Sequence, residues 1–148
     1  MNNSIRVILA NDNPNDMNTT EEELSKRGFI VIGKASNGNE LETLINNNPQ
    51  VNIVVLDIML SGKDGFAIME QCKNNNLEIK FIVTSVLYSE TFIQKAISLG
   101  AAYYMIKPIN ATVLADRIED LYTSFAPKTV LWSVIAICIY SPLGSVFA

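Results

Sequence analysis

Apolar and polar positions fall in alternating blocks along this chain. Short runs rich in Ile and Val stand at 5–10, 30–34, 53–57, 81–84 and 103–106. Their apolarity is continuous and does not alternate, the pattern of strands buried on both faces of a parallel sheet. Between them, helical periodicity predicts helices over 15–27, 39–47, 65–74, 90–99 and 111–125. The stops are legible: "KRG" at Gly28, "NNNP" after the second helix, "NNN" at Asn74–Asn76, and "SLG" at Gly100. Leu114, Ile118, Leu121 and Phe125 lie on one stripe, so the last helix is amphipathic. Five strands alternating with five helices define an α/β, doubly wound, five-stranded parallel sheet with helices on both faces.

That architecture says where to look for chemistry, because ligands of open α/β sheets bind beyond the carboxyl ends of the strands. The five ends supply Asn11 with Asp12, Ser36, Asp57, Thr84 with Ser85, and Lys107. Four of the five places carry groups suited to a phosphate or a divalent cation. Asp57 directly follows "VNIVVL", so its carboxylate stands at a strand tip, where it can act as a nucleophile toward phosphorus. Such an attack gathers negative charge and needs a cation; Mg²⁺ prefers oxygen ligands. Asp12 is the natural second ligand if the first and third strands are neighbours. Lys107 adds a positive charge and Thr84 a hydroxyl donor for phosphoryl oxygens. Each residue alone has an ordinary structural explanation: a turn cap, a strand residue, a solvated strand end. Their convergence on one edge carries the reading. In "VILANDNPND" Asp16 belongs to the start of the first helix, where negative charge is favoured.

Composition narrows the classes. The chain has 148 residues and a formal net charge of −4, so no nucleic-acid surface is expected. It contains no histidine, which excludes Ser-His and Cys-His nucleophiles and His-ligated zinc. Cys72 and Cys138 form no CxxC and no disulfide framework, and "MNNSIRVILA" does not read as a secretory signal, so a cytoplasmic setting is expected.

The ordered text "VVLDIMLSGKDGF", "FIVTS" and "GAAYYMIKPI" resembles the receiver domains of two-component response regulators, over about residues 4–125. Within that family, "RGFIVIGKASNGNE" and "YMIKPIN" look most like the receiver of the sporulation-initiation regulator of bacteria. The resemblance implies a flavodoxin-like strand order 2-1-3-4-5. It implies Asp57 as phosphoacceptor, with Thr84 and Lys107 contacting the phosphoryl group. It further implies Asp12 as a direct Mg²⁺ ligand beside Asp57, the Met59 backbone carbonyl as another, and a cis peptide before Pro108. Tyr104 would swing inward on activation. A histidine kinase or histidine phosphotransferase would be the phosphodonor, and a homodimer is compatible with the pattern. Enzymatic activity would extend at most to self-phosphorylation and autodephosphorylation at Asp57.

Two departures bear on this. The family usually has adjacent acids after its first strand; here the first is Asn11, which keeps a carbonyl oxygen for indirect metal contact but loses a charge. Weaker Mg²⁺ binding and slower phosphorylation are expected. Ser61 stands where Pro is common, which should loosen that loop. Asn11 also keeps open a rival, a pseudo-receiver binding partners constitutively. A haloacid-dehalogenase-type phosphatase, the enzyme rival, needs a second acid two residues after the nucleophile, where Met59 stands.

Residues 1–125 are therefore expected to form the receiver and 126–148 an apolar tail, too short for an output domain. Residues 129–148 carry no charge and, at about 1.5 Å per residue, could cross a hydrocarbon core of about 30 Å. Lys128 and Trp132 suit an interfacial edge, whereas Pro142 and Gly144 interrupt the run. Three readings of the tail stay open: a membrane anchor, a remnant of a longer regulator, or packing against the domain or a second copy.

Overall fold

A computed structural model describes residues 5–123, 139–141 and 144–145. Its strands and helices alternate: β1 (Arg6–Ala10), α1 (Pro14–Lys26), β2 (Ile30–Ala35), α2 (Gly38–Asn47), β3 (Ile53–Asp57), α3 (Gly65–Asn74), β4 (Lys80–Ser85), α4 (Glu90–Ser98), β5 (Ala101–Ile106) and α5 (Ala111–Thr123). These five strands are parallel and lie in the order 2-1-3-4-5. The sheet does not stop at β5. Two short strands, β6 (Ile139–Ser141) and β7 (Gly144–Ser145), extend it, β6 parallel to β5 and β7 antiparallel to β6. The expected five parallel strands in the order 2-1-3-4-5 are all present, and the two short strands add to them. The rest of the tail, and Phe125 of the predicted helical stripe, lie outside the described residues. No helix among the described residues is long and apolar enough to cross a membrane.

Period-two alternation along each strand splits the core into two layers. Ile8 and Ala10, with Val54, Leu56, Val83 and Tyr104, face α2, α3 and α4. Val7 and Leu9, with Ile53, Val55, Ile82 and Met105, face α1 and α5, where Met17, Leu24, Leu114 and Ile118 close the layer. β3, at the centre, is buried along its whole length. β2 departs from the expected two-sided burial: it is the outer strand, and Ile30 stays exposed.

Helix starts follow short polar residues. Asn13, Asn37, Asp64 and Ser89 each accept a backbone N–H at the start of α1 to α4, and Asn110 accepts from Thr112 and Val113 before α5. Pro14 occupies the first turn of α1, one residue ahead of the predicted start, because its missing N–H costs nothing there. Gly28 and Gly100 reverse the chain after α1 and α4 with φ of 87° and 102°. On the surface, Arg27 ties α1 to α5 through Asp116 at 2.9 Å and Glu119 at 3.3 Å.

Candidate functional site

The parallel order brings the carboxyl ends of β1, β3, β4 and β5 to one edge. Register aligns them: Ala10 lies opposite Leu56, Asp57 opposite Thr84, and Thr84 opposite Met105. Asn11 and Asp12 therefore follow β1 beside Asp57, and Lys107 follows β5 immediately.

Asp57 is only 3 % exposed, and both of its oxygens are engaged. Oδ1 accepts from the Met59 backbone N–H at 2.9 Å, and Oδ2 meets Lys107 Nζ at 2.6 Å. The first contact fixes the carboxylate plane. The second offsets the cost of holding a carboxylate away from water. Thr84 is buried at the end of β4, and its carbonyl accepts from the Ile58 N–H at 3.1 Å, which joins the loop after Asp57 to β4. The peptide between Lys107 and Pro108 is cis, as the resemblance implied.

Asp12 is exposed at the rim, while Asn11 is half-buried. Asn11 Oδ1 accepts the Asn13 N–H at 2.8 Å, and the Asn11 N–H donates to the Ala35 carbonyl at 3.0 Å. The oxygen that would reach toward a metal through water is thus already folded into the turn. Met59 has an exposed side chain, 56 % accessible, and meets Asp57 through its backbone alone. Asp16 sits in the first turn of α1, as expected.

The assembled donors are carboxylate, amide and carbonyl oxygens, the set that a hard cation such as Mg²⁺ takes and a soft metal does not. Among the described residues no group of three or more His, Cys, Asp or Glu side chains could hold a metal. A site here would rest on two carboxylates and backbone oxygen. Beside it opens a cavity of about 150 Å³ between α1 and the loop before α5, lined by Asn11, Thr20, Thr84, Lys107 and Pro108 among others.

Tyr104 points inward and is 1 % exposed. Its hydroxyl donates to the Leu87 carbonyl at 2.7 Å, and the Leu87 N–H donates to Ser85 Oγ at 2.9 Å. Burial pushes its pKa up, against a smaller opposing effect of Ser85. The aromatic is thereby tied to the loop that follows Thr84.

The loop 58–64, where Ser61 stands, is stitched to its neighbours. The Ser61 carbonyl accepts from the Gly38 N–H at 2.8 Å, and Lys63 Nζ reaches Glu42 at 2.7 Å and Gln71 at 3.0 Å. α2 and α3 hold this loop down. Sequence reading missed both this stitch and the Ser85–Leu87–Tyr104 chain; an Asn-x-Asn turn at 11–13 was the one signal that could have revealed the engagement of Asn11.

The family model of the response regulator receiver domain matches residues 7–119. Solved structures share the fold. The receiver domain of the putative response regulator NarL from Mycobacterium tuberculosis is 22 % identical with a TM-score of 0.74, over 80 % of this chain and 96 % of that one. The CheX–CheY–BeF3–Mg complex from Borrelia burgdorferi contains a chain 21 % identical with a TM-score of 0.75, over 81 % and 90 %. The receiver domain of the Francisella response regulator 1452 is 24 % identical with a TM-score of 0.73, over 80 % and 96 %.

Proposed function

The chain belongs to the response regulator receiver domain family, and from that premise we propose that it is a phosphorylation switch in which Asp57 accepts a phosphoryl group from a partner phosphohistidine. The observation that carries this reading is the engaged carboxylate of Asp57, held by the Met59 N–H and by Lys107 at 2.6 Å. The backbone contact leaves the carboxylate one orientation, a preorganised nucleophile. One of its oxygens attacks phosphorus, the P–N bond to the imidazole breaks, and the departing nitrogen takes up a proton. Lys107 then moves its contact from the carboxylate to a phosphoryl oxygen, and the Thr84 hydroxyl donates to another.

Asp12, Asp57 and the Met59 carbonyl would hold Mg²⁺, with Asn11 acting only indirectly. The ion supplies positive charge against the phosphoryl oxygens. Added charge of about −1.5 to −2 then biases the loops after β4 and β5. Tyr104, bonded to Leu87 in one of these loops, is the switch residue and the reporter. Residues 1–125 act as the signalling module, with activity confined to Asp57. The partner is a histidine kinase or phosphotransferase, in a bacterial cytoplasm. A bound protein partner in the Borrelia complex, and Mg with BeF3 in the same structure, support this reading by analogy. The stretches "RGFIVIGKASNGNE" and "YMIKPIN" support a place near the sporulation-initiation receiver.

The test is mass spectrometry after incubation with a small phosphodonor. Gain of one phosphoryl group that needs Mg²⁺ and vanishes in Asp57→Ala is expected. No gain in the wild type would favour the pseudo-receiver, for which the engaged Asn11 oxygen speaks.

A further inference from the structure

The free edge of an outer strand invites another strand, since its backbone groups lie unpaired. On β5 that edge is taken by the chain itself: Tyr104 pairs with Ile139 and Met105 with Tyr140. β7 covers the far side of β6 through Tyr140 with Ser145 and Ser141 with Gly144. The pairing is short. Two residue pairs would not hold an untethered strand, and the covalent link supplies the local concentration that makes docking feasible. A tethered contact of so few pairs is one that a modest bias can move.

Its position is what gives it consequence. Asp57 lies opposite Thr84, Thr84 opposite Met105, and Met105 opposite Tyr140, one lateral row from the phosphoacceptor to the tail. The other paired residue, Tyr104, is the inward aromatic whose hydroxyl holds the Leu87 carbonyl at 2.7 Å. Docked strand and inward Tyr104 occur together in the structure.

We propose that residues 139–141 are a tethered strand ligand of the β5 edge, which holds Tyr104 inward so that strand docking and phosphorylation of Asp57 reinforce each other. This rests on the switch reading above. The mechanical link is the β5 backbone: pairing at Tyr104 and Met105 limits the outward rotation that would break the Leu87 contact and carry Thr84 with it. Coupling of this kind is reciprocal, so whatever the strand adds to the phosphorylated state, phosphorylation adds to docking. While docked, the segment also denies the β5 edge to a strand from a second copy. The absent charge at Asn11 is then partly offset by a tail that favours the switched arrangement.

The test uses the full chain with Ile139→Pro and Tyr140→Pro together, which removes the amide donor whichever of the two faces β5. Ile139→Val with Tyr140→Phe, which keeps both amides, is the control. Hydrogen exchange over 103–106 is expected to quicken at least tenfold in the proline chain and to stay slow in the control. Protection in β1 and β3 verifies that the sheet remains folded. With beryllofluoride and Mg²⁺ as the phosphoryl probe, binding is expected to weaken roughly fivefold in the proline chain, at the low end of allosteric couplings. Exchange unchanged by the prolines overturns docking. Faster exchange with unchanged beryllofluoride affinity overturns the coupling. A wild type that ignores beryllofluoride, yet shows the exchange difference, overturns the switch reading and the coupling with it while docking stands.

Discussion

Gly38→Ala is the sharpest test of how the loop after Asp57 is held. A Cβ at this position would stand 1.9 Å from the Lys63 carbonyl oxygen, 2.7 Å from its carbon and 2.8 Å from its nitrogen. All three are backbone atoms, so no side-chain rotation relieves the collision. The loop must withdraw from α2, and in doing so it strains the Gly38 to Ser61 hydrogen bond of 2.8 Å and the Lys63–Glu42 pair. Overpacking costs about 1–3 kcal/mol. Weakening one backbone hydrogen bond adds about 1 kcal/mol. The helical preference of Ala over Gly returns at most about 1 kcal/mol, less in a first turn. The expected net loss is about 1.5–3 kcal/mol, or roughly 5–10 °C in Tm for a chain of this size. Urea unfolding followed by far-UV circular dichroism measures it. Gly33→Ala is the control: the three atoms nearest its Cβ all belong to the Leu44 side chain, the two methyls at 2.9 Å, which can turn aside, so a loss under about 1 kcal/mol is expected. A Gly38→Ala chain within about 0.5 kcal/mol of wild type, inside the range of ordinary surface substitutions, would refute the reasoning.

Asn11→Asp should tighten Mg²⁺ about tenfold at low salt, since a unit charge about 6 Å from a divalent ion in a water-like dielectric contributes about 1.4 kcal/mol; isothermal titration reads this, and equal affinities would contradict it. Lys107→Ala leaves the buried Asp57 carboxylate without its cation and should lower stability by about 1–3 kcal/mol in chelator. Less should be lost in millimolar Mg²⁺, and an equal loss in both would reject a shared role. Hydrogen bonds from the Ser36 backbone and hydroxyl hold the Glu40 carboxyl below its ordinary value, and Lys63 does the same for Glu42. Their folded values are depressed, so the stability they contribute is present above about pH 4.5 and lost as pH falls through the lowered values. Glu40→Gln and Glu42→Gln should therefore flatten the decline in urea midpoint between pH 5 and pH 3, and an acid slope identical to wild type would count against this.

Most of the central sheet was legible in the chain because β-strand apolarity, polar caps and glycine stops are local signals. β3 was predicted at its observed bounds, and β4 and β5 each gained only residues at their ends. The edge carrying Asp57, Thr84 and Lys107 followed from parallel topology alone. What escaped was tertiary. The apolar "ICIYS" segment merged into a charge-free stretch of membrane-spanning length, and nothing local says that Ile139 pairs with Tyr104. The hold on the loop after Asp57 escaped because its partners, Gly38 and Glu42, lie more than twenty residues upstream. The exposure of β2 reflects its place at the sheet's border, a property of strand order and not of its own residues.

The ion pair between Asp57 and Lys107 has a further consequence when the site's charge is summed. Asp12 and Asp57 contribute −2 and Lys107 contributes +1, leaving −1 where a receiver with two adjacent acids would carry −2. A resting site with so little like-charge repulsion stores little electrostatic tension to be discharged by a cation. Fluctuations in cellular salt or magnesium should therefore disturb the unphosphorylated protein only weakly. On the proposed switch reading, sensitivity to ions would be concentrated in the moment of phosphoryl transfer, which would separate the durability of the fold from the readiness of the switch.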